Sequence, residues 1–243
     1  MADYIRLTAA GSGPDGLFVA PTRPEPVPSV LVTTAIGGIN GYIERVIERL
    51  AGEGYAVLAL DYYARTGEKP DLSTPEKVMA AVDALSDPQV LADMRAGADW
   101  LRGRSETSDA VAALGFCIGG AYSLLASADN DDLACAISFY GMLRYPKITD
   151  RKPVSPLDGA ASAKCPILGH FGEEDHLVPL GDALALREAT RGSAAEIYTY
   201  PGAGHAFHED FRPAVHRPAA AREAWDRTLA YLRYYLASEF VRA

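Results

Sequence analysis

The segment over 111–126, Val-Ala-Ala-Leu-Gly-Phe-Cys-Ile-Gly-Gly-Ala-Tyr-Ser-Leu-Leu-Ala, limits the possible folds more than any other part of this chain. An apolar strand pattern runs into Gly115-Phe116-Cys117-Ile118-Gly119-Gly120, and small residues then continue as a helix. This is the glycine, x, nucleophile, x, glycine elbow with cysteine at the nucleophile position. The bend is so tight that the residues two before and two after Cys117 crowd each other, which gives the glycines at 115, 119 and 120 a steric reason. Such an elbow needs a strand ending at one edge of a sheet and a helix leaving from it. The sulfur is then expected at the carboxyl end of the strand, where the amino end of the helix favours a thiolate.

The rest of the chain supplies the sheet that such an elbow requires. Apolar, β-branched runs at 29–34, 55–60, 110–115, 133–139, 166–171 and 195–200 alternate with helical patterns at 42–52, 88–102, 119–127, 181–190 and 218–236. That alternation predicts α/β architecture around a mostly parallel sheet with helices on both faces. In the second helix Leu91, Met94, Ala98 and Leu101 form one stripe, while Asp93, Arg95, Asp99 and Arg102 fall elsewhere. The proline-rich stretch 20–28 is read as a loop before the first central strand, since proline offers no amide to a ladder. The stretch 144–162, rich in Pro, Asp and Ser, is read as a second loop, too short for a capping domain. With 243 residues and no repeat, the whole of 1–243 is expected to be one domain.

Charge and composition narrow the partners. A formal net charge of -9 repels phosphate backbones and anionic membranes, so neither nucleic acid nor a membrane is expected. No apolar run reaches the length of a membrane span, and the stretch 1–13 lacks a basic region followed by an apolar one, so a cytoplasmic protein is expected. Three cysteines, Cys117, Cys135 and Cys165, are too few and too scattered for a disulfide framework or a zinc cluster. Cys135 and Cys165 read as small buried hydrophobes.

An elbow nucleophile needs a carboxylate and then a histidine on later loops. Asp175 follows the strand pattern ending at Phe171, and His205 follows the one ending at Tyr200. Glu173 and Glu174 adjoin the preferred acid, and His176 and His208 adjoin the preferred groups; all four read as loop residues by default. His170 reads as a core histidine and His216 as a surface one. His205 and His208 lack the H-E-x-x-H spacing and a third ligand, so no metal is expected. The backbone N–H of Ile118 would form half of an oxyanion hole, with Ile36 in the loop Thr-Thr-Ala-Ile-Gly-Gly supplying the other half.

Taken together, Gly-Phe-Cys-Ile-Gly-Gly-Ala at 115–121, Gly-Glu-Glu-Asp-His-Leu-Val-Pro at 172–179 and Gly-Ala-Gly-His-Ala-Phe at 202–207 make the chain resemble the dienelactone hydrolase family. Gly38-Ile39-Asn40 and Asp61-Tyr62-Tyr63-Ala64-Arg65 extend the match. The resemblance implies an α/β-hydrolase fold without a large cap and a cofactor-free hydrolase. It also implies that lactones or esters are opened through a thioester on Cys117, with His205 and Asp175. Two departures bear on the substrate. Ala35 occupies the place of a glutamate that activates the thiol in dienelactone hydrolases proper, and Glu209 the place of an arginine that holds the substrate carboxylate. Ala80 stands near the place of the second such arginine. A pocket with Ala35, Arg65, His208 and Glu209 around Cys117 is therefore expected to take a small neutral ester or lactone, in a monomer or a homodimer. A ligand-binding or thiol-sensing protein on the same fold is the competing reading.

Overall fold

The computed structural model describes residues 3–6, 15–129 and 132–237. Much of the stretch read for a leader, residues 1–2 and 7–13, lies outside the described residues. Eight strands form one sheet: β1 (Asp3–Arg6), β2 (Asp15–Val19), β3 (Val27–Thr33), β4 (Ala56–Asp61), β5 (Thr107–Phe116), β6 (Leu133–Phe139), β7 (Ile167–Gly172) and β8 (Ala195–Tyr200). Their spatial order is β1-β2-β4-β3-β5-β6-β7-β8, antiparallel at β1-β2 and β2-β4 and parallel across the rest. This is the α/β-hydrolase arrangement.

The helices are α1 (Gly41–Gly52), α2 (Pro75–Ala84), α3 (Asp87–Arg102), α4 (Ile118–Asp129), α5 (Pro156–Ala160), α6 (Leu180–Ala189) and α7 (Pro218–Tyr235). The period-2 alternation of the strands sorts them onto two faces. Val30, Val32, Val57 and Ala59 face one core with Ile43 and Ile47 of α1 and Trp225 of α7. Leu31, Leu58 and Leu60 face the other with Met94 and Leu101 of α3 and Tyr122 of α4. The central strands are buried on both faces, as a parallel sheet requires.

Several elements differ from the sequence reading. The six strands and five long helices read from the periodicity stand where it puts them, but it does not announce the antiparallel edge β1-β2 or helix α2. Strand β3 begins inside the stretch read as a loop, because the register shifts between Val27 and Ser29 and Pro28 sits at that irregularity, where no ladder amide is needed. Asp93, assigned to the polar side of its helix, is buried in a two-bond pair with Arg65, at 2.6 and 2.5 Å. Within 144–162, α5 interrupts the loop, and Lys152 is buried against Asp87 at 2.6 Å and the Tyr122 hydroxyl at 3.1 Å. That contact fastens the loop to α3 and α4.

Candidate active site

The elbow owes its shape to three close approaches. A Cβ on Gly115 would stand 2.0 Å from the Gly119 carbonyl oxygen, one on Gly119 2.2 Å from the Thr33 carbonyl oxygen, and one on Gly120 2.7 Å from Ser138 Oγ. No other side chain fits there. Cys117 itself adopts φ 55°, a left-handed conformation costly for a residue with a Cβ. It is held because its N–H donates to Phe139 O at 3.0 Å, its carbonyl accepts from Ala121 N, and Thr33 Oγ1 donates to Gly119 O at 2.8 Å. The thiol is thereby presented at the carboxyl end of β5, half-buried at the first turn of α4.

The loops after β7 and β8 deliver the other two groups. They lie against each other: Glu173 and Glu174 donate their amides to Tyr200 O and Ala203 O, and a Cβ on Gly172 would collide with the Ala203 carbonyl oxygen at 2.3 Å. Asp175 is buried there, and its Oδ1 accepts from Leu177 N at 2.8 Å and Val178 N at 3.0 Å. Its Oδ2 is 2.8 Å from His205 Nδ1, and His205 Nε2 is 3.2 Å from Cys117 Sγ. Burial by itself lowers the affinity of His205 for a proton. Attraction to a charged sulfur and the hydrogen bonds to Asp175 and Cys117 outweigh it, raising the pKa to about 10. The arrangement thus favours a protonated imidazole beside the sulfur. Of the neighbouring acids, Glu173 is engaged by Thr199 Oγ1 at 2.9 Å and Glu174 is exposed; His176 is exposed as well.

The sulfur opens into a cavity of about 560 Å³ lined by Ala35, Ile36, Leu72, Val78, Leu177 and Phe211, with Glu209 and Arg212 also in its wall. Glu209 is buried and accepts from Arg212 at 3.1 Å. Desolvation raises the pKa of its carboxyl, and the Arg212 guanidinium acts against the rise. Among the described residues, no acceptor engages the N–H of Ile36 or of Ile118, the first residue of α4. The Ile36 loop is braced from β4: Tyr63 donates to Ile36 O at 2.6 Å and Tyr62 to Thr34 O at 3.2 Å.

Of the expected pocket residues, Ala35 and Glu209 line this cavity, and Arg65 and His208 do not. Arg65 is held by Asp93. His208 faces the opposite side, buried with its Nδ1 2.6 Å from the Tyr42 hydroxyl, and burial depresses its pKa to about 3. The reading from sequence also missed Arg212. Glu209 stands four residues after the histidine, as the sequence shows, yet a guanidinium from three residues further on reaches the same wall. An arginine three residues after an acid was the available signal. His170 is a core histidine, as expected, bonded to the Tyr200 and Thr228 hydroxyls. Cys135 and Cys165 are buried free thiols whose pKa values burial raises, that of Cys165 to about 12.

Comparison with known proteins agrees with this geometry. Residues 15–236 match the model of the family described as "Dienelactone hydrolase family". A protein of Bradyrhizobium sp. named "Probable 2-oxo-3-(5-oxofuran-2-ylidene)propanoate lactonase" is 41% identical over 240 residues, covering 96% of this chain and 94% of its own. An Escherichia coli protein bearing a carboxymethylenebutenolidase name is 33% identical over 239 residues, 97% of this chain and 88% of that one. A crystal structure titled as a dienelactone hydrolase of Klebsiella pneumoniae superposes with a TM-score of 0.88 at 31% identity, covering 95% of this chain and 97% of that one. Among the described residues, no helix is long and apolar enough to cross a membrane.

Proposed function

This chain belongs to the dienelactone hydrolase family, and from that premise we propose that it opens small lactones or esters by acylating Cys117. The observation that carries the reading is the continuous line from Asp175 Oδ2 through His205 to Cys117 Sγ, at 2.8 and 3.2 Å. In the first half-reaction the thiolate adds to the carbonyl carbon, and the carbonyl oxygen takes up the negative charge. The amides of Ile36 and Ile118 receive that oxygen. As the C–O bond breaks, His205 Nε2–H gives its proton to the departing oxygen, leaving a thioester on Cys117. A water molecule then loses a proton to the neutral imidazole and adds to the thioester, and the sulfur leaves as the thiolate. Asp175 keeps the imidazole facing the sulfur in both halves.

The cavity supports a small neutral substrate. Its walls are mainly apolar, and the one guanidinium in it is engaged by Glu209, so an incoming carboxylate finds no uncompensated positive charge. The half-exposed side chain of Arg212 supports a second reading, a lactone bearing a carboxylate that draws Arg212 away from Glu209. Steady-state hydrolysis of an uncharged p-nitrophenyl ester and of a dienelactone separates the two. Higher kcat/KM on the ester supports the neutral reading, and clear preference for the dienelactone favours the second. Lack of turnover on both, or turnover that survives Cys117→Ala, overturns the acyl-enzyme chemistry.

A further inference from the structure

A second cavity, of about 410 Å³, lies between α1 and α7 and has a character opposite to that of the chain. The protein carries a formal net charge of -9. Yet this groove gathers Arg45, Arg49, Arg222 and His216 in its lining against one carboxylate, Asp210. Asp210 is taken up by Arg45 at 2.5 Å. Arg49 and Arg222 make no hydrogen bond or ion pair among the described residues. Glu53 and Asp226 act on Arg49 from nearby, but Glu53 is already bonded to Arg233 at 2.8 Å. Arg49 is instead laid over the Trp225 ring, 4.3 Å from its centroid, which fixes its guanidinium in place.

A further feature sets the groove apart from a solvated basic face. Val46, Pro218 and Ala221 give the groove an apolar side beside its cations. Two guanidiniums that no carboxylate bonds directly among the described residues, Arg49 pre-oriented by an aromatic ring and Arg222, next to an apolar wall match an oxyanion attached to an apolar body.

We propose that this groove binds a small organic oxyanion, a phosphate or carboxylate on a flat apolar body, with the anion taken by Arg49 and Arg222. The apolar body rests against Val46, Pro218 and Ala221. Tyr42 lines both this groove and the cavity of Cys117, so a ligand here sits one side chain away from the reaction. The inference rests on the groove alone and does not depend on the acyl-enzyme reading.

Titration calorimetry with phenyl phosphate, benzoate and inorganic phosphate tests it. The full chain, the double variant Arg49→Gln/Arg222→Gln, the exposed charge reversal Arg222→Glu and Arg212→Gln are compared. Saturable binding of phenyl phosphate or benzoate is expected in the wild type and in Arg212→Gln, with the stronger of the two identifying the oxyanion. Inorganic phosphate, lacking the apolar body, should bind more weakly. Both groove variants should lose about tenfold or more in affinity, the loss of at least one charge-assisted bond, while keeping ester hydrolysis and the wild-type circular dichroism. Absence of saturable binding to the wild type, equal affinity in the groove variants, or loss confined to Arg212→Gln overturns the proposal, the last by placing the anion in the catalytic cavity.

Discussion

The ring of Tyr140 stands edge-on to that of His205, centroids 5.2 Å apart and planes at 66°. Tyr140 reaches that position through a backbone at φ 42°, held by donation of its N–H to His170 O at 2.7 Å. The imidazole is therefore fixed by Asp175 along one edge and by an aromatic ring across its face. This explains how a group on a loop keeps its aim. Asp175→Asn removes the acceptor for His205 Nδ1–H and leaves the packing in place. It is expected to lower kcat by roughly 10⁴-fold with little change in KM, in line with the loss when the orienting acid of a triad is amidated. A decline in KM as large as that in kcat would contradict the orienting role.

The same geometry sets the order of thiol reactivity. Cys117 is half-buried against His205, whereas Cys135 and Cys165 are buried and burial raises the pKa of each. Iodoacetamide at neutral pH is expected to modify Cys117 first, with loss of hydrolysis tracking that single adduct by peptide mass spectrometry. Equal labelling of all three thiols in the folded protein would contradict the elbow's exposure of the sulfur.

Most of this site can be read from the chain because its parts are local. The elbow announces itself through glycines at 115, 119 and 120, which are forced by contacts with carbonyl and hydroxyl oxygens rather than chosen for flexibility. Asp175 and His205 follow strand patterns in a fixed order. Arg65 and Asp93 are 28 positions apart, and no periodicity tells that an acid on a helix will be buried under an arginine from another loop. His208 adjoins the His205 loop in sequence but turns to Tyr42, a partner 166 positions away. Helix α2 did leave a signal, Thr74 capping Lys77 N with Pro75 in the first turn, which its weak apolar stripe hid.

The buried histidines give the fold a definite response to acid. His208 has a pKa depressed to about 3, against about 6.5 in an unfolded chain, and burial lowers that of His170 as well. A folded pKa below the unfolded one means that the unfolded chain binds the proton first. The contribution of His208 is complete above pH 6.5 and is lost as the pH falls from there toward 3. His208 contributes a slope of about 1.4 kcal/mol per pH unit within that window, and His170 acts in the same direction. Urea denaturation from pH 7 to 4 should show this slope, and His208→Gln should reduce it. His205 has the opposite sign. With its folded pKa raised to about 10, its contribution is complete below pH 6.5 and is lost as the pH rises toward 10.

The buried pair of Lys152 and Asp87 is expected to matter more when halved than when removed. Desolvation raises the pKa of Asp87 and lowers that of Lys152, so burial opposes both charges and the contact at 2.6 Å answers it. Asp87→Ala leaves an ammonium among Tyr122 and Tyr145 and should cost about 3–5 kcal/mol in urea denaturation. Asp87→Leu with Lys152→Met should recover most of that loss, because no charge is then left without a partner. Equal destabilisation by the single and double changes would show that packing, not charge, fastens the 144–162 loop.

Glu209 and Arg212 offer a direct handle on substrate charge. Arg212 extends along the cavity wall half-exposed, and the buried Glu209 carboxylate occupies it at 3.1 Å. Glu209→Gln keeps the shape of the wall but leaves the guanidinium without its counter-charge. A carboxylate-bearing lactone should then gain about tenfold in kcat/KM, equivalent to about 1.4 kcal/mol, the scale of one partly exposed charge-assisted bond. An uncharged p-nitrophenyl ester should change little, because no charge of its own meets Arg212. The gain should disappear in Glu209→Gln/Arg212→Gln and shrink at high salt, since a half-exposed charge is screened. An equal gain for both substrates would instead trace the effect to His205, on which the Glu209 charge also acts, and would remove Arg212 from substrate selection.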